Sequence, residues 1–342
     1  KKESTKQGFT HGCTTHRSQS SNDVYPSAVR LTIIKKYDNL KKSIESLIES
    51  FEKKIEEYGN VVKVGRTHLM DAAPISFGQE FSGYVNSLKS DLKRIENALE
   101  FISRLNIGGT AVGTGLNKPE GFEDIVIECL KNSSGKSLRK AENLFEVMQS
   151  LSDFSYFSSS LRILAEDTIK ISNDIRFISS GPSAGINEIK IPAVQQGSSI
   201  MPGKINPSIA EAVIMSCLRV ISNDYLVSLA NQMGNLEINV FTPVVSYSIL
   251  ESMNILTNAL NIFNEKLVKF MIVNEKRVED LLKNSQINAV AFSPYIGYKN
   301  VAELVKESYE ENKRVKEIIV EKGVIKKEED GNRELGNKKT RS

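Results

Sequence analysis

The chain has 342 residues with 45 basic and 42 acidic side chains, a formal charge of +3. That balance argues against a nucleic-acid or anionic-membrane partner. The length allows a sizeable core and two or three domains, and no apolar run approaches the roughly 20 residues needed to span a bilayer, so a soluble protein is expected.

Residues 1–22 are polar, rich in Ser, Thr and Lys, and show no hydrophobic period. They begin with Lys1 and carry no signal-peptide pattern. From Pro26 a helical stripe runs through Leu31, Ile34, Leu40, Ile44, Leu47, Ile48, Phe51 and Ile55, and Gly59-Asn60 marks its stop. A second stripe, Phe77 to Leu105, ends before the glycine-rich stretch Gly108–Gly115. A third helix is expected over Glu142–Ser179, bounded by Gly181-Pro182. A fourth is expected from Asn206-Pro207, with Asn206 as N-cap and Pro207 at the first helical position, interrupted by Pro243. A fifth is expected over Val244–Asn274, and a shorter one near Val301–Lys322 after a turn at Ser293–Tyr298.

Helices near thirty residues run to roughly 45 Å at 1.5 Å per residue, so the fold class expected is all-α, an elongated bundle with a small helical carboxy-terminal domain. The boundaries expected are 1–22 for a linker or remnant of an amino-terminal domain, 23–274 for the bundle, 275–325 for the small domain and 326–342 for a disordered tail. The absence of Trp and the 9 prolines agree with a helical chain. Cys13, Cys129 and Cys217 are few and dispersed, the pattern of reduced thiols in a cytoplasmic protein. His11, Cys13 and His16 lie close together but lack a fourth ligand, so no metal site is expected.

The chemistry concentrates in five segments. Gly197-Ser198-Ser199-Ile200-Met201-Pro202-Gly203-Lys204-Ile205-Asn206-Pro207 is too polar for a core strand and too rich in Gly and Pro for a helix. It reads as a loop that fixes hydroxyl, ammonium and amide donors for a dianionic substrate. Ser18-Gln19-Ser20-Ser21-Asn22-Asp23 precedes the first helix, Gly65-Arg66-Thr67-His68 precedes the second, Gly109–Asn117 follows it, and Ser180-Gly181-Pro182 follows the third. Each lies near a helix end, and at an N-terminal end free backbone N–H groups favour anions. Singly, each is commonplace: a capping turn, or a glycine loop without the lysine of a nucleotide site.

Together and in this order, the segments resemble the class II fumarases and aspartate ammonia-lyases of the aspartase/fumarase superfamily, from about Arg17 to Ile325. The resemblance implies a bundle of five long helices, a homotetramer with each active site built by three subunits, and reversible elimination to fumarate without a cofactor. By correspondence Ser198 is the general base on a mobile loop. Ser20, Ser21 and Ser199 hold the carboxylate that takes up charge, and Thr67, Lys204 and Asn206 hold the other. Asn22 and His68 face the leaving group, and Glu211 pairs with His68 to orient its ring and favour its charged form.

Elimination removes a proton next to a carboxylate and makes a doubly charged aci-carboxylate. Each preorganised donor aimed at such charge is worth about 10²–10³ in rate. Gln79–Tyr84 and Glu237–Phe241 lean towards a fumarase, whereas Asn143–Ser150, Ser179–Pro182 and Gly185–Ile189 lean towards an aspartase. The Asn143–Ser150 segment weighs most, because fumarases usually carry a histidine-bearing segment there. The expectation is therefore an aspartate ammonia-lyase acting on L-aspartate, with fumarate hydratase, acting on L-malate, as the alternative. The family usually has a whole domain ahead of Ser18, and Ser183 stands where an arginine is common. A truncated, non-catalytic bundle homologue is the third reading, against which the joint presence of Ser198, Lys204, Asn206, His68 and Glu211 argues.

Overall fold

The computed structural model describes residues 19–311 and 313–323. The expectations for residues 1–18, including His11, Cys13 and His16, and for the tail from 326 onward lie outside the described residues.

The elements run α1 (Ser21–Tyr58), β1 (Val62–Thr67), β2 (Met70–Ser76), α2 (Phe77–Ile102), β3 (Arg104–Leu105), α3 (Phe122–Ser134), β4 (Arg139–Lys140), α4 (Leu144–Gln149), α5 (Ser152–Ile178), β5 (Ile189–Lys190), α6 (Ser208–Asn231), α7 (Thr242–Lys266), β6 (Ile272–Val273), α8 (Glu275–Asn284), α9 (Ser293–Ile296), α10 (Tyr298–Glu311) and α11 (Val315–Glu321). The chain divides into two compact units. Among the described residues, one comprises 19–53 and 82–272, and the other 54–81 with 273–323.

The first unit is a bundle of five long helices whose directions follow from their polar cross-links. Lys41–Glu96 and Lys89–Glu52 set α1 and α2 antiparallel. Tyr84–Asp174 links α2 to α5. Lys36–Asn254 and Ser46–Asn264 set α1 and α7 parallel. Arg162–Asp224 joins α5 to α6, and Arg219–Glu251 joins α6 to α7. The stripes meet in a core of Ile33, Leu40, Ile44, Leu47 and Phe51 from α1, Leu88 and Ile95 from α2, Phe154, Phe157 and Leu164 from α5, Val213 and Val220 from α6, and Ile249, Leu256 and Phe263 from α7. Removing that apolar surface from water is the main stabilising term. Burial also pushes the Cys217 thiol up to about 12, which leaves it an inert filler.

Several elements differ from the sequence-based expectation. The third helix is two, α4 and α5, because Ser150 is extended (φ −109°, ψ 132°) and the Asn231 side chain accepts from Leu151 N (3.0 Å). Residues 122–134 form a helix, α3, between two left-handed glycines, Gly121 and Gly135. α6 starts at Ser208 and α7 ends at Lys266, eight residues before Asn274. The stretch near Val301–Lys322 is two helices, α10 and α11.

α6 is also long and apolar enough to cross a membrane by length and composition, unlike anything expected from the sequence. It nevertheless carries Glu211, Arg219, Asn223 and Asp224 and packs against α5 and α7, as a bundle helix does.

The second unit holds the β1–β2 hairpin, which pairs antiparallel from Val62↔Ser76 to Thr67↔Met70 with a bulge at Gly65/Arg66. Ser285 Oγ donates to Asp71 Oδ2 (2.5 Å), tying the hairpin to residues beyond α8. A small core of Ala289, Val301, Leu304, Val315, Ile318 and Ile319 supports α10 and α11. Residues 54–81 thus group with the chain from 273 on.

Candidate active site

One group of predicted residues sits at the start of α1. Ser20 Oγ accepts from Asn22 N (3.2 Å), while Asp23 Oδ1 accepts from Ser20 N (2.9 Å), a reciprocal turn that satisfies the first free N–H groups of the helix. The fully buried Asp23 turns its other oxygen on Gly108 N (3.2 Å) and Thr110 N (3.0 Å). Asn22 Nδ2 donates to Ala111 O (2.8 Å). These bonds bring the Ser20–Asn22 turn and the glycine-rich stretch, two of the segments singled out from sequence, into one structure.

Gly113, at φ 98°, lies against α4: a Cβ there would meet Phe145 at 2.9 Å. Beneath the loop, Glu123 is held by Lys118 and Lys140 (both 2.5 Å). Its burial opposes ionisation, yet those two ammonium groups draw its carboxyl down to about 2.

A cleft of about 260 Å³ opens beside this turn, with Ser21, Asn22 and Tyr25 on one side, Met148 on another, and Ile238 and Asn239 on a third. Because Asn22 spends an amide hydrogen on Ala111 O, its Oδ1 remains as an acceptor. Asn239 was not foreseen as structural. It is buried, its amide donates to Ala230 O (3.1 Å) and Asn231 O (3.2 Å), its Oδ1 accepts from Phe241 N, and its own N–H donates to Met148 O. It fixes the wall formed by residues 238–243. The only hint in the sequence was the polar residue inside the apolar run Ile238–Phe241.

The second group is the loop before α6. Ser198 Oγ accepts from Ile200 N (3.1 Å) and Met201 N (3.0 Å). Two N–H dipoles on one hydroxyl oxygen lower the cost of its oxyanion, part of what a serine base requires. Asn206 Nδ2 donates to Gly197 O (2.9 Å), and Gln195 Nε2 donates to Ser208 Oγ (2.5 Å), so the neck of the loop is braced twice. Asn206 is therefore not the helix cap expected: Pro207 occupies the cap position with no side-chain bond. Gly197 is required, since a Cβ there would lie 1.7 Å from Lys204 O. Ser199 and Lys204 are exposed, and the Lys204 ammonium has no partner among the described residues.

Glu211, in the first turn of α6, is paired within the chain with Arg176 (Nη2–Oε1 3.3 Å) on α5. Thr67 and His68 belong to the second unit, at the exposed tip of the hairpin. His68 (φ 55°) and Leu69 (φ 64°) both take left-handed conformations between the paired Thr67 and Met70, a two-residue turn that usually recruits Asn and Gly. Two larger side chains in that conformation store strain.

The first two groups lie at opposite ends of the bundle. Ser21 and Asn22 share a cleft with Asn239, which is bonded to Ala230 and Asn231 at the end of α6. Ser198, Lys204 and Asn206 precede Ser208 at its start. The 24 residues of α6 span about 36 Å at 1.5 Å per residue. One copy of the bundle therefore does not bring the two groups to a single small dicarboxylate. Among the described residues no cluster of three or more His, Cys, Asp or Glu side chains is arranged to hold a metal ion.

The family model described as "Lyase" matches residues 3–222. The chain belongs to this family, the aspartase/fumarase superfamily. A model for the carboxy-terminus of fumarase C matches residues 289–330 of this superfamily member. A class II fumarate hydratase from Thermosynechococcus vestitus is 40% identical over 313 residues, 91% of this chain and 67% of that protein. An aspartate ammonia-lyase from Helicobacter pylori is 39% identical over 314 residues, 92% of this chain and 67% of that protein. Among solved structures, a fumarate lyase/delta crystallin from Brucella melitensis superposes with a TM-score of 0.87 at 40% identity, covering 90% of this chain and 67% of that one. The class II fumarase of Schistosoma mansoni gives 0.86 at 33%, covering 92% and 69%.

Proposed function

We propose that the chain is an aspartate ammonia-lyase, converting L-aspartate reversibly to fumarate and ammonia. The observation that carries the elimination chemistry is the pair of backbone N–H groups on Ser198 Oγ. Ser198, as its oxyanion, takes the Cβ proton of aspartate. The electron pair forms the carbon–carbon double bond through the aci-carboxylate, and the Cα–N bond breaks with its pair leaving on the amine. Ser20, Ser21 and Ser199 hold the carboxylate that takes up charge, while Thr67, Lys204 and Asn206 hold the other. No cofactor enters this scheme.

Two observations favour an amine over a hydroxyl as leaving group. Asn22 offers Oδ1 as an acceptor, which suits a substrate ammonium with three N–H donors. The α4 segment that walls the cleft carries Met148-Gln149-Ser150 and no histidine. Fumarate hydration is the second reading, supported by the Glu237–Phe241 segment that carries the Asn239 wall and by fumarate hydratases among relatives of equal identity.

Assembly belongs to the same proposal. The 36 Å between the two groups is spanned if Ser21 and Asn22 of one copy meet Ser198 and Lys204 of another, with Thr67 and His68 supplied within the assembly. The exposed apolar side chains of α6, Met215, Leu218, Tyr225, Leu226 and Leu229, suit a helix packed against further copies in a homotetramer. The test is ultraviolet absorbance of fumarate formed from L-aspartate and, separately, from L-malate. Turnover of aspartate alone supports the ammonia-lyase, turnover of malate alone makes the chain a fumarase, and silence with both in folded protein refutes the lyase reading.

A further inference from the structure

Glu211 is bound in a way that the elimination scheme does not use. Its backbone N–H donates to Pro207 O, which places it in the first turn of α6, five residues after Asn206 and its loop brace. Its Oε1 takes the Nη2 hydrogen of Arg176 from the last turn of α5 (3.3 Å). The same guanidinium spends Nη1 on Asn173 Oδ1 (3.0 Å), one turn back on its own helix. Arg176 Nε is buried with no partner among the described residues. Glu211 Oε2 likewise has no partner among them.

The two side chains are 38% and 43% exposed, and they meet through one contact. A pair of that kind contributes little to stability, because water screens it and two long side chains must be ordered to form it. Its geometric effect is larger. The planar guanidinium keeps a fixed cation beside Glu211. With Oε1 engaged by Arg176, the second oxygen is left available to another donor.

We propose that Arg176 is a positioning residue: it anchors Glu211 through Oε1 so that Oε2 is presented to the imidazole N–H of His68 from another copy of the chain. This assignment rests on the lyase reading above. Arg176 itself touches neither substrate nor reacting atoms and acts only through Glu211.

The test is a double-mutant cycle on steady-state kinetics, run with whichever of L-aspartate and L-malate the wild-type chain turns over. Arg176→Gln is expected to lower kcat by about 10–100-fold with KM little changed, the scale of loss when a catalytic group is misplaced by about an ångström. Arg176→Lys, which restores charge without the planar fork, is expected to recover part of it. In a Glu211→Gln background the same Arg176→Gln change is expected to cost less than about 2-fold, because its route of action is gone. Equal losses in both backgrounds overturn the assignment and leave the lyase reading standing, as does an unchanged kcat in a variant whose melting temperature alone has fallen. If Arg176→Gln does not fold, the cycle is run with Arg176→Lys under the same criteria. Wild-type protein that forms fumarate from neither substrate overturns the lyase reading and this assignment together.

Discussion

The two ends of the helical bundle solve different problems. At the Ser20–Asn22 end the polar groups are buried and cross-braced. Asp23 takes three backbone N–H groups, and the fully buried Arg30 is held by Asn106 (3.1 Å), Phe101 O (2.9 Å) and Asp153 (2.9 Å). Arg104 adds a second bond to Asp153 (2.6 Å). Such a network is costly to leave half-made, so it fixes one geometry and frames a cleft before any ligand arrives. At the other end, the loop is exposed from Ser199 to Ile205, and the side-chain bonds it makes join loop residues to one another and to its own neck. In the proposed scheme the rigid half holds the substrate and the self-braced half carries the base to it. The difference teaches that substitutions damaging to stability concentrate at the first end, whereas at the second a substitution can strike the proposed chemistry alone.

That contrast can be broken at several points. Ser198→Ala should reduce fumarate formation by about 10³-fold or more while leaving the melting temperature and the assembled mass unchanged. Wild-type-like turnover would end the assignment of Ser198 as base. Gly197→Ala should also strike activity without stability, because the new methyl collides with Lys204 O only inside the exposed loop. Kinetics and thermal unfolding on the same sample check this. Asp23→Ala should do the opposite first, costing on the order of 3 kcal/mol or more by stranding three N–H donors, Gly108 N and Thr110 N among them. Denaturant titration measures that loss, and a cost below about 1 kcal/mol would mean that the rigid end is not held through Asp23.

A smaller effect separates the middle of the bundle from both ends. Asp91 on α2 is fully buried, and burial together with the Asp167 carboxylate on α5 lifts its carboxyl to about 7, against the opposing pull of Arg94. A group whose folded value is raised contributes most below its unfolded value near 3.8, and that contribution is lost as pH rises towards 7. Asp91→Asn should therefore raise the melting temperature by several degrees at pH 8 and by less at pH 5. An equal shift at both pH values would show that the carboxyl is ionised throughout.

The fold was legible where apolar spacing and burial agree. Leu40, Ile44, Leu47 and Phe51 form the stripe expected of α1 and all are buried. It was illegible where they oppose each other. In the hairpin Val62 is exposed, whereas Lys63 is buried with its ammonium on Glu80 (2.6 Å), so apolar character does not mark the buried face of the strand. The break between α4 and α5 carries no Gly or Pro, because it is set by Asn231, some eighty residues away.

For the site, residue types in order single out the loop, the turn and the Gly65–His68 segment as candidates. What they did not reveal is which bonds each side chain spends at home: Asn206 on Gly197, Asn22 on Ala111, Glu211 on Arg176. Nor did they reveal that 36 Å of α6 separates the two groups, since distance along a helix becomes distance between functional groups only once the helix directions are known.

The central claim is that a working site takes its rigid half from one copy and its base-bearing loop from another. The most direct measurement is complementation: Asn22→Ala and Ser198→Ala proteins, each inactive alone, are unfolded together, refolded as a mixture and assayed for fumarate formation. Random assembly then gives intact pairs at roughly a quarter of the sites, so activity near a quarter of wild type is predicted. A mixture no more active than the sum of its parents would contradict the account and require each copy to complete its own site.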